Sequence, residues 1–401
     1  MPMNSLSTLA VHAGRSDFNE LGVHAPPIDL STTSPLVDID KGGDSYEHLA
    51  TGGSLQPGAP TVYRRLWNPT VARFEEAVAA LESYQLEKSG RDCNDIQGVA
   101  FATGMAGITA VLLSRIQAGK PHVVAVRPLY GGSDHLLAAS ILGGTVTFVT
   151  ADGVAGAIRQ DTGLILVESP ANPTLELVDI KALVEAAGDV PVMVDNTFAT
   201  PILQQPLHLG ATYSFHSATK YIGGHGDAMC GVVVTREVHA SALRRVRAIT
   251  GALLDPFSAF LLHRGIQTLS VRIKEQQRSA IKIAQWLTTV DGVRKTYFPG
   301  LDGADPKGLI GTQMAGPGAI ISIDLVGGIE AAETLCRNLK LITHAVSLGG
   351  TDSLIQHPAA LTHRPVESHA KPSPGLLRIS VGLEDPADLI ADFTSAFAFK
   401  V

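Results

Sequence analysis

The strongest constraint on the fold is a set of short apolar runs between residues 98 and 235: GVAFAT, HVVAVRP, TVTFVT, LILVESP, PVMVDNT and CGVVVT. Each ends in small or polar residues, and helical segments lie between them. A strand with no polar alternation is buried on both faces. That is the situation in a mostly parallel sheet covered by crossover helices. Ligands bind such sheets just outside the carboxyl ends of the strands. The residues at those ends therefore carry the argument: Thr103-Gly104, Glu168-Ser169 and Asp195-Asn196-Thr197.

The rest of the chain divides around this α/β region. Residues 1–70 are rich in turn chemistry, as in STTSPL, KGGDSYEHLATGGSLQPGAP and WNPT, and show little periodicity. Tyr63, Arg64, Arg65 and Trp67 favour an ordered, irregular arm docked on another surface. VARFEEAVAALESY, from residue 71, reads as an amphipathic helix. After about residue 255 the texture changes. A long helical stretch is followed by ISIDLVG, a helix through AAETLCRNL, LLRISVG and a last helix. The expected division is an arm over 1–70, a large domain over 71–255 and a smaller α+β domain over 256–401.

Composition removes several classes. The net charge of -7 argues against a nucleic-acid binder. No apolar run is long enough to span a bilayer. The opening MPMNSLSTLAVHAGR has no long apolar stretch of the kind a secretion signal carries. Cys93, Cys230 and Cys336 are widely spaced, and reduced thiols in a cytoplasmic protein are expected. Fourteen histidines form no HExxH or compact ligand spacing, so no metal is expected; His216, His225, His357 and His363 read as hydrogen-bonded loop residues. GxSxG, GxGxxG and P-loop signatures are absent.

Several residues can carry chemistry, and each also has a plain structural reading. Lys220 sits in SFHSATKYIGGHGD beside Ser217, Thr219 and a glycine cluster. A confined lysine is a usable amine nucleophile, and the hydroxyls suit a phosphate; the alternative is a surface lysine by a glycine loop. Asp195 ends an apolar strand and needs a partner there, such as the ring nitrogen of pyridoxal 5'-phosphate (PLP), or it caps the next turn. Thr103-Gly104-Met105 opens a helix after a strand, where free N–H groups bind phosphate. Tyr130 at another strand end can stack on a planar cofactor or pack at the sheet edge. Arg378, inside LLRISVG, suits a substrate carboxylate or an ion pair with Glu384 or Asp385.

Together these segments resemble the Cys/Met-metabolism family of PLP enzymes, the group of cystathionine gamma-synthase, the cystathionine lyases, methionine gamma-lyase and O-acetylhomoserine sulfhydrylase. VHAGR, YRRLWNPT, FATGMAGITAV, YGGS, ESPANPT, VDNTFATP, SATKYIGGHGD, SLGGTDSLIQHPAALTH and LLRISVGLEDPADLI carry the resemblance in order along nearly the whole chain. It implies the fold-type I, aspartate-aminotransferase-like architecture: a mostly parallel seven-stranded sheet with helices on both faces, plus the smaller C-terminal domain. It implies PLP as cofactor, with Lys220 as the Schiff-base lysine and proton carrier, Asp195 on the pyridine nitrogen, and Tyr130 stacking and acting as acid or base. Gly104, Met105, Ser217 and Thr219 would form the phosphate cup. Tyr63 and Arg65 would reach the phosphate of a neighbouring subunit, Tyr63 also touching substrate, in a homotetramer built as a dimer of dimers. Asn172, Ser347 and Arg378 would bind the amino-acid substrate.

The implied reaction is γ- or β-elimination from a substituted L-amino acid through a Cα carbanion. Its alternatives are γ-replacement by a thiol, or a non-catalytic binding protein on the same fold. Three departures from familiar members bear on substrate. Gly132 stands where methionine gamma-lyases carry Cys, Arg247-Ala248 where they carry Lys-Asp, and Gln356 where cystathionine gamma-lyases carry Glu.

Overall fold

In the computed structural model, which describes residues 5–399, the apolar runs build one seven-stranded sheet. Its strands are β1 (Ile96–Phe101), β2 (His122–Val126), β3 (Thr145–Val149), β4 (Thr162–Glu168), β5 (Val192–Asp195), β6 (Tyr213–Ser217) and β7 (Gly231–Arg236). They lie in the order β1-β7-β6-β5-β4-β2-β3. All neighbours from β3 to β6 are parallel, and β7 runs antiparallel to both β6 and β1. The carboxyl ends of β1, β2, β4, β5 and β6 therefore emerge along one edge.

The apolar runs are continuous because each strand feeds two cores. Val123, Ala125, Leu164 and Leu166 pack into one face, whereas Val124, Val126, Ile165 and Val167 pack into the other. Burial of each such branched side chain is worth about 1.5–3 kcal/mol. Strand β6, YSFHS, stands outside the apolar pattern because Ser214 and His216 interrupt it. Both are buried, and His216 Nε2 lies 2.6 Å from Glu82 Oε1. His216 is thus a strand residue rather than the loop residue expected.

A second sheet contains β8 (Val293–Tyr297), β9 (Ile320–Leu325), β10 (Thr343–His344), β11 (Leu354–Gln356) and β12 (Leu376–Ser380), in the order β10-β11-β12-β9-β8. It is antiparallel except for the β10–β11 pair. The helix Pro256–Leu287 packs against both β9 and the helix Pro69–Lys88, and so ties the second sheet to the first part of the chain. Asn68 Oδ1 accepts from Thr70 and Val71 N–H, which starts the helix at Pro69, just ahead of the amphipathic run.

The arm departs from the irregular segment expected of its composition. Leu6–His12, Phe18–Leu21 and Ile39–Ala50 are helical. In the longest, Asp38 Oδ1 caps Lys41 N–H at 3.0 Å, and Ser45 and Leu49, one turn apart, face inward. Leu49 packs with Leu66 and Ala248. The Gly42-Gly43 pair hides this periodicity in the sequence. Among the described residues no helix is long and apolar enough to cross a membrane.

Candidate active site

A cavity of about 320 Å³ opens where the strand ends converge. Gly104, Met105, Ser217, Thr219, Asp195 and Lys220 line its first-sheet side, and Tyr130, Asn172, Ser347 and Arg378 complete it.

Lys220 follows β6 in a tight turn, with Gly224 N–H returning to the Lys220 carbonyl at 2.8 Å. Gly224 has φ +75°, and a Cβ there would lie 2.1 Å from Arg272 Nη1, so glycine is required. Arg272 is buried and holds the same turn through the Tyr221 and Ile222 carbonyls. Lys220 Nζ donates to Ser347 Oγ at 2.9 Å. Burial first, and then the charge of Arg378, lower its pKa from 10.5 to about 8. The amine therefore remains mainly protonated near neutral pH but gives up its proton far more readily than an ordinary lysine, which favours its use as a nucleophile.

At the end of β1, Thr103 caps the helix Gly104–Gln117 through its Oγ1 and Ala106 N–H. Gly107 N–H reaches the Thr103 carbonyl. The N–H groups of Gly104 and Met105 find no acceptor among the described residues. A Cβ on Gly104 would stand 3.2 Å from Ser217 Oγ, so glycine keeps this corner open. Two free N–H groups, the Ser217 hydroxyl and a helix N-terminus make a cradle for a phosphate. The Thr219 hydroxyl also lines the cavity but exchanges hydrogen bonds with the Cys230 backbone, at 2.9 and 3.3 Å.

Asp195 Oδ1 accepts from Thr197 N–H at 3.0 Å, and Thr197 Oγ1 in turn accepts from Ser217 N–H. Burial raises the Asp195 pKa, and the Thr197 bonds oppose the rise. Its register partner on β4 is Glu168. That carboxyl is pushed well above its ordinary range by burial and then by the charge of Asp195. Its two oxygens accept from Tyr130 N–H at 2.6 Å and Asn172 N–H at 3.2 Å. The sequence marks Glu168 only as a strand-end residue. Its register with Asp195 is the signal that would have placed it in the site.

Arg378 lies on β12 and is buried. Its guanidinium donates to Asn172 Oδ1 at 3.1 Å, the Ser347 carbonyl at 2.8 Å and Gln356 Oε1 at 2.7 Å, and its Nε has no partner among the described residues. Every acceptor is neutral. Glu384 instead binds Ser353, and Asp385 caps the last helix, so neither forms the ion pair considered for this arginine. Burial lowers the Arg378 pKa to about 10, still far above neutrality. A buried cation that touches no carboxylate, with Glu168 acting on it only at longer range, is costly alone and well suited to an anionic ligand.

Two expected site residues lie elsewhere. Tyr63 and Arg65 do not line this cavity: Arg65 Nη1 donates to the Ala248 carbonyl at 2.7 Å, its guanidinium sits 5.6 Å from the Tyr63 ring centre, and Tyr63 is exposed. Arg247 is likewise remote, paired with Glu75. His225, His357 and His363 bond the Gly223, Pro374 and Leu129 carbonyls. No cluster of three or more metal-ligating side chains exists among the described residues.

The family model for Cys/Met metabolism PLP-dependent enzymes matches residues 7–398. The curated L-methionine gamma-lyase of Brevibacterium sandarakinum is 55% identical over 396 residues, covering 98% of each chain. That of Streptomyces avermitilis is 48% identical, covering 98% of this chain and 89% of its own. Among solved structures, metB from Corynebacterium glutamicum superposes with a TM-score of 0.86 at 36% identity, covering 99% of this chain and 98% of that one. Cystathionine gamma synthase from Xanthomonas oryzae pv. oryzae, in complex with aminoacrylate and cysteine, gives 0.85 at 35% identity, with coverage of 99% and 98%. The fold is accordingly fold-type I, and the chain belongs to the Cys/Met metabolism family of PLP-dependent enzymes, with pyridoxal 5'-phosphate as its cofactor.

Proposed function

We propose that the enzyme eliminates a thiol from the γ-carbon of an L-amino acid of the methionine type, leaving a 2-oxo acid and ammonia. The observation that carries this reading is Arg378, a buried cation with only neutral partners in the same cavity as the Lys220 amine. Its missing counter-ion is the substrate carboxylate. The rest of the lining favours an uncharged side chain: Met105, Ile108, Phe198, Met229, Val346 and Leu348 are apolar. Relatives named L-methionine gamma-lyase at 55% identity support the same choice.

In this reading Lys220 holds the cofactor and carries the proton taken from Cα, its lowered pKa suiting both tasks. Asp195 faces the pyridine nitrogen; Gly104, Met105, Ser217 and Thr219 hold the phosphate. When bound, PLP supplies an electron sink for negative charge at Cα. Arg378, held by Asn172 and Ser347, fixes the carboxylate and so orients the Cα–H bond. A second proton is then lost from Cβ, the electron pair left there breaks the Cγ–S bond, and Tyr130 protonates the departing thiolate. Tyr63, exposed on the arm, and Arg65, half-buried beside it, serve the site of a neighbouring copy in a homotetramer. Residues 71–255 form the PLP-binding domain and 256–401 the smaller one. Three free cysteines agree with a cytoplasmic location.

The likeness to cystathionine gamma synthase keeps γ-replacement as a second reading. Product analysis separates them. L-Methionine alone is expected to yield thiol, oxo acid and ammonia. A thioether formed only from an O-acylhomoserine plus a thiol, with no turnover of L-methionine, would assign replacement instead.

A further inference from the structure

We infer that Glu168 is a positioning residue whose single carboxyl ties the backbone of Tyr130 to that of Asn172, so that the leaving-group wall and the carboxylate-binding wall of the cavity are set by one side chain. The inference rests on the roles proposed for Tyr130 and Arg378.

Three observations carry it. Tyr130 is the N-cap of the helix Gly131–Ala138, and its own side chain makes no capping bond. The tyrosine's backbone is held instead by the 2.6 Å bond from its N–H to Glu168 Oε1. Second, Asn172 N–H binds the other oxygen, Oε2, while the Asn172 side chain accepts from Arg378. The chain of contacts thus runs from Glu168 through Asn172 to Arg378, and on through Ser347 to Lys220. Third, Glu168 lies in register with Asp195, at the floor between both walls. Both carboxyl oxygens are spent on backbone N–H groups, so Glu168 acts through its neighbours. Burial and the neighbouring charge of Asp195 push its pKa upward.

Glutamine keeps the shape but offers one acceptor oxygen and turns an amide N–H toward the second backbone donor. Aspartate is one methylene too short to span both. The test compares Glu168→Gln with wild-type holoenzyme in two readouts. The first is affinity for L-norleucine, which has a carboxylate but no leaving group, followed by the cofactor's absorbance. The second is kcat for paired substrates carrying a poor and a good γ leaving group.

The variant is expected to bind L-norleucine about tenfold more weakly, one hydrogen bond's worth, and to lose more kcat with the poor leaving group than with the good one. Combining it with Tyr130→Phe should add nothing further to leaving-group dependence, and combining it with Asn172→Ala nothing further to affinity. Full additivity in both cycles, or a fall in melting temperature with both readouts unchanged, would overturn the inference. Should Glu168→Gln fail to fold, Glu168→Asp is measured in the same two readouts, with the same results expected and the same results overturning the inference. Wild-type enzyme that binds L-norleucine yet turns over no γ-substituted amino acid would instead sink the proposed elimination, and the affinity cycle with Asn172→Ala would still judge Glu168.

Discussion

Lys220 Nζ meets Ser347 Oγ at 2.9 Å across 127 residues of sequence. Ser347 has φ +99°, a conformation L-residues rarely adopt, and its carbonyl accepts from Arg378. Such strain costs on the order of 1–3 kcal/mol and persists where surrounding contacts over-determine it. Here the contacts are the two cations of the cavity. Ser347→Ala keeps the backbone bond to Arg378 but removes the acceptor that aims the lysine. Its kcat is expected to fall about tenfold with KM little changed. Steady-state kinetics on purified holoenzyme check this.

Lys220 also gives the cofactor-free protein a distinct pH dependence. The folded amine has a pKa of about 8, below the 10.5 of the unfolded chain. Between those values unfolding takes up a proton, so stability rises with pH across that window. The penalty, ~3 kcal/mol, is fully present below pH 8 and fades toward pH 10.5. Urea unfolding of cofactor-free Lys220→Met and wild type should therefore differ in favour of the variant at about pH 7 and converge only above about pH 10.5. A pH-independent difference would contradict the burial of this amine.

Gly132 shapes the tyrosine wall. A Cβ at this position would stand 2.5 Å from Tyr130 Cε1, closer than packed atoms tolerate. Gly132→Ala must move the ring, and a small misplacement at a reacting centre is expensive. We expect kcat to drop by roughly 10- to 100-fold with cofactor content unchanged. A variant with wild-type kcat would show that the ring is free to move without consequence.

The arm makes a prediction across subunits. If Tyr63 and Arg65 serve a neighbouring copy, Arg65→Ala and Lys220→Ala damage different halves of a shared site. Each variant alone should be nearly inactive, and subunit exchange between them should restore activity through hybrid sites. Mixtures that stay inactive after exchange would confine the site to one chain.

Much of this arrangement was legible in the sequence, because buried parallel strands announce themselves and their ends hold the ligand. Asp195 and Thr103-Gly104 stood out by that rule, whereas Lys220, Asn172 and Ser347 rested on the ordered resemblance. What escaped depended on three-dimensional register. Glu168 binds the backbone of Tyr130, 38 residues away, and no side-chain pattern encodes a backbone donor. Strand β6 escaped because Ser214 and His216 are buried polar residues, with His216 Nε2 facing both the Ser214 hydroxyl and Glu82. The helix Ile39–Ala50 escaped because Gly42 and Gly43 weaken its propensity while packing of Leu49 restores it.

The most direct measurement of the central claim is borohydride reduction of the purified holoenzyme followed by peptide mapping. Lys220 as the cofactor lysine predicts loss of the visible absorption band and a pyridoxyl group on the peptide containing Lys220. A band that survives reduction, or a label on any other lysine, would contradict it.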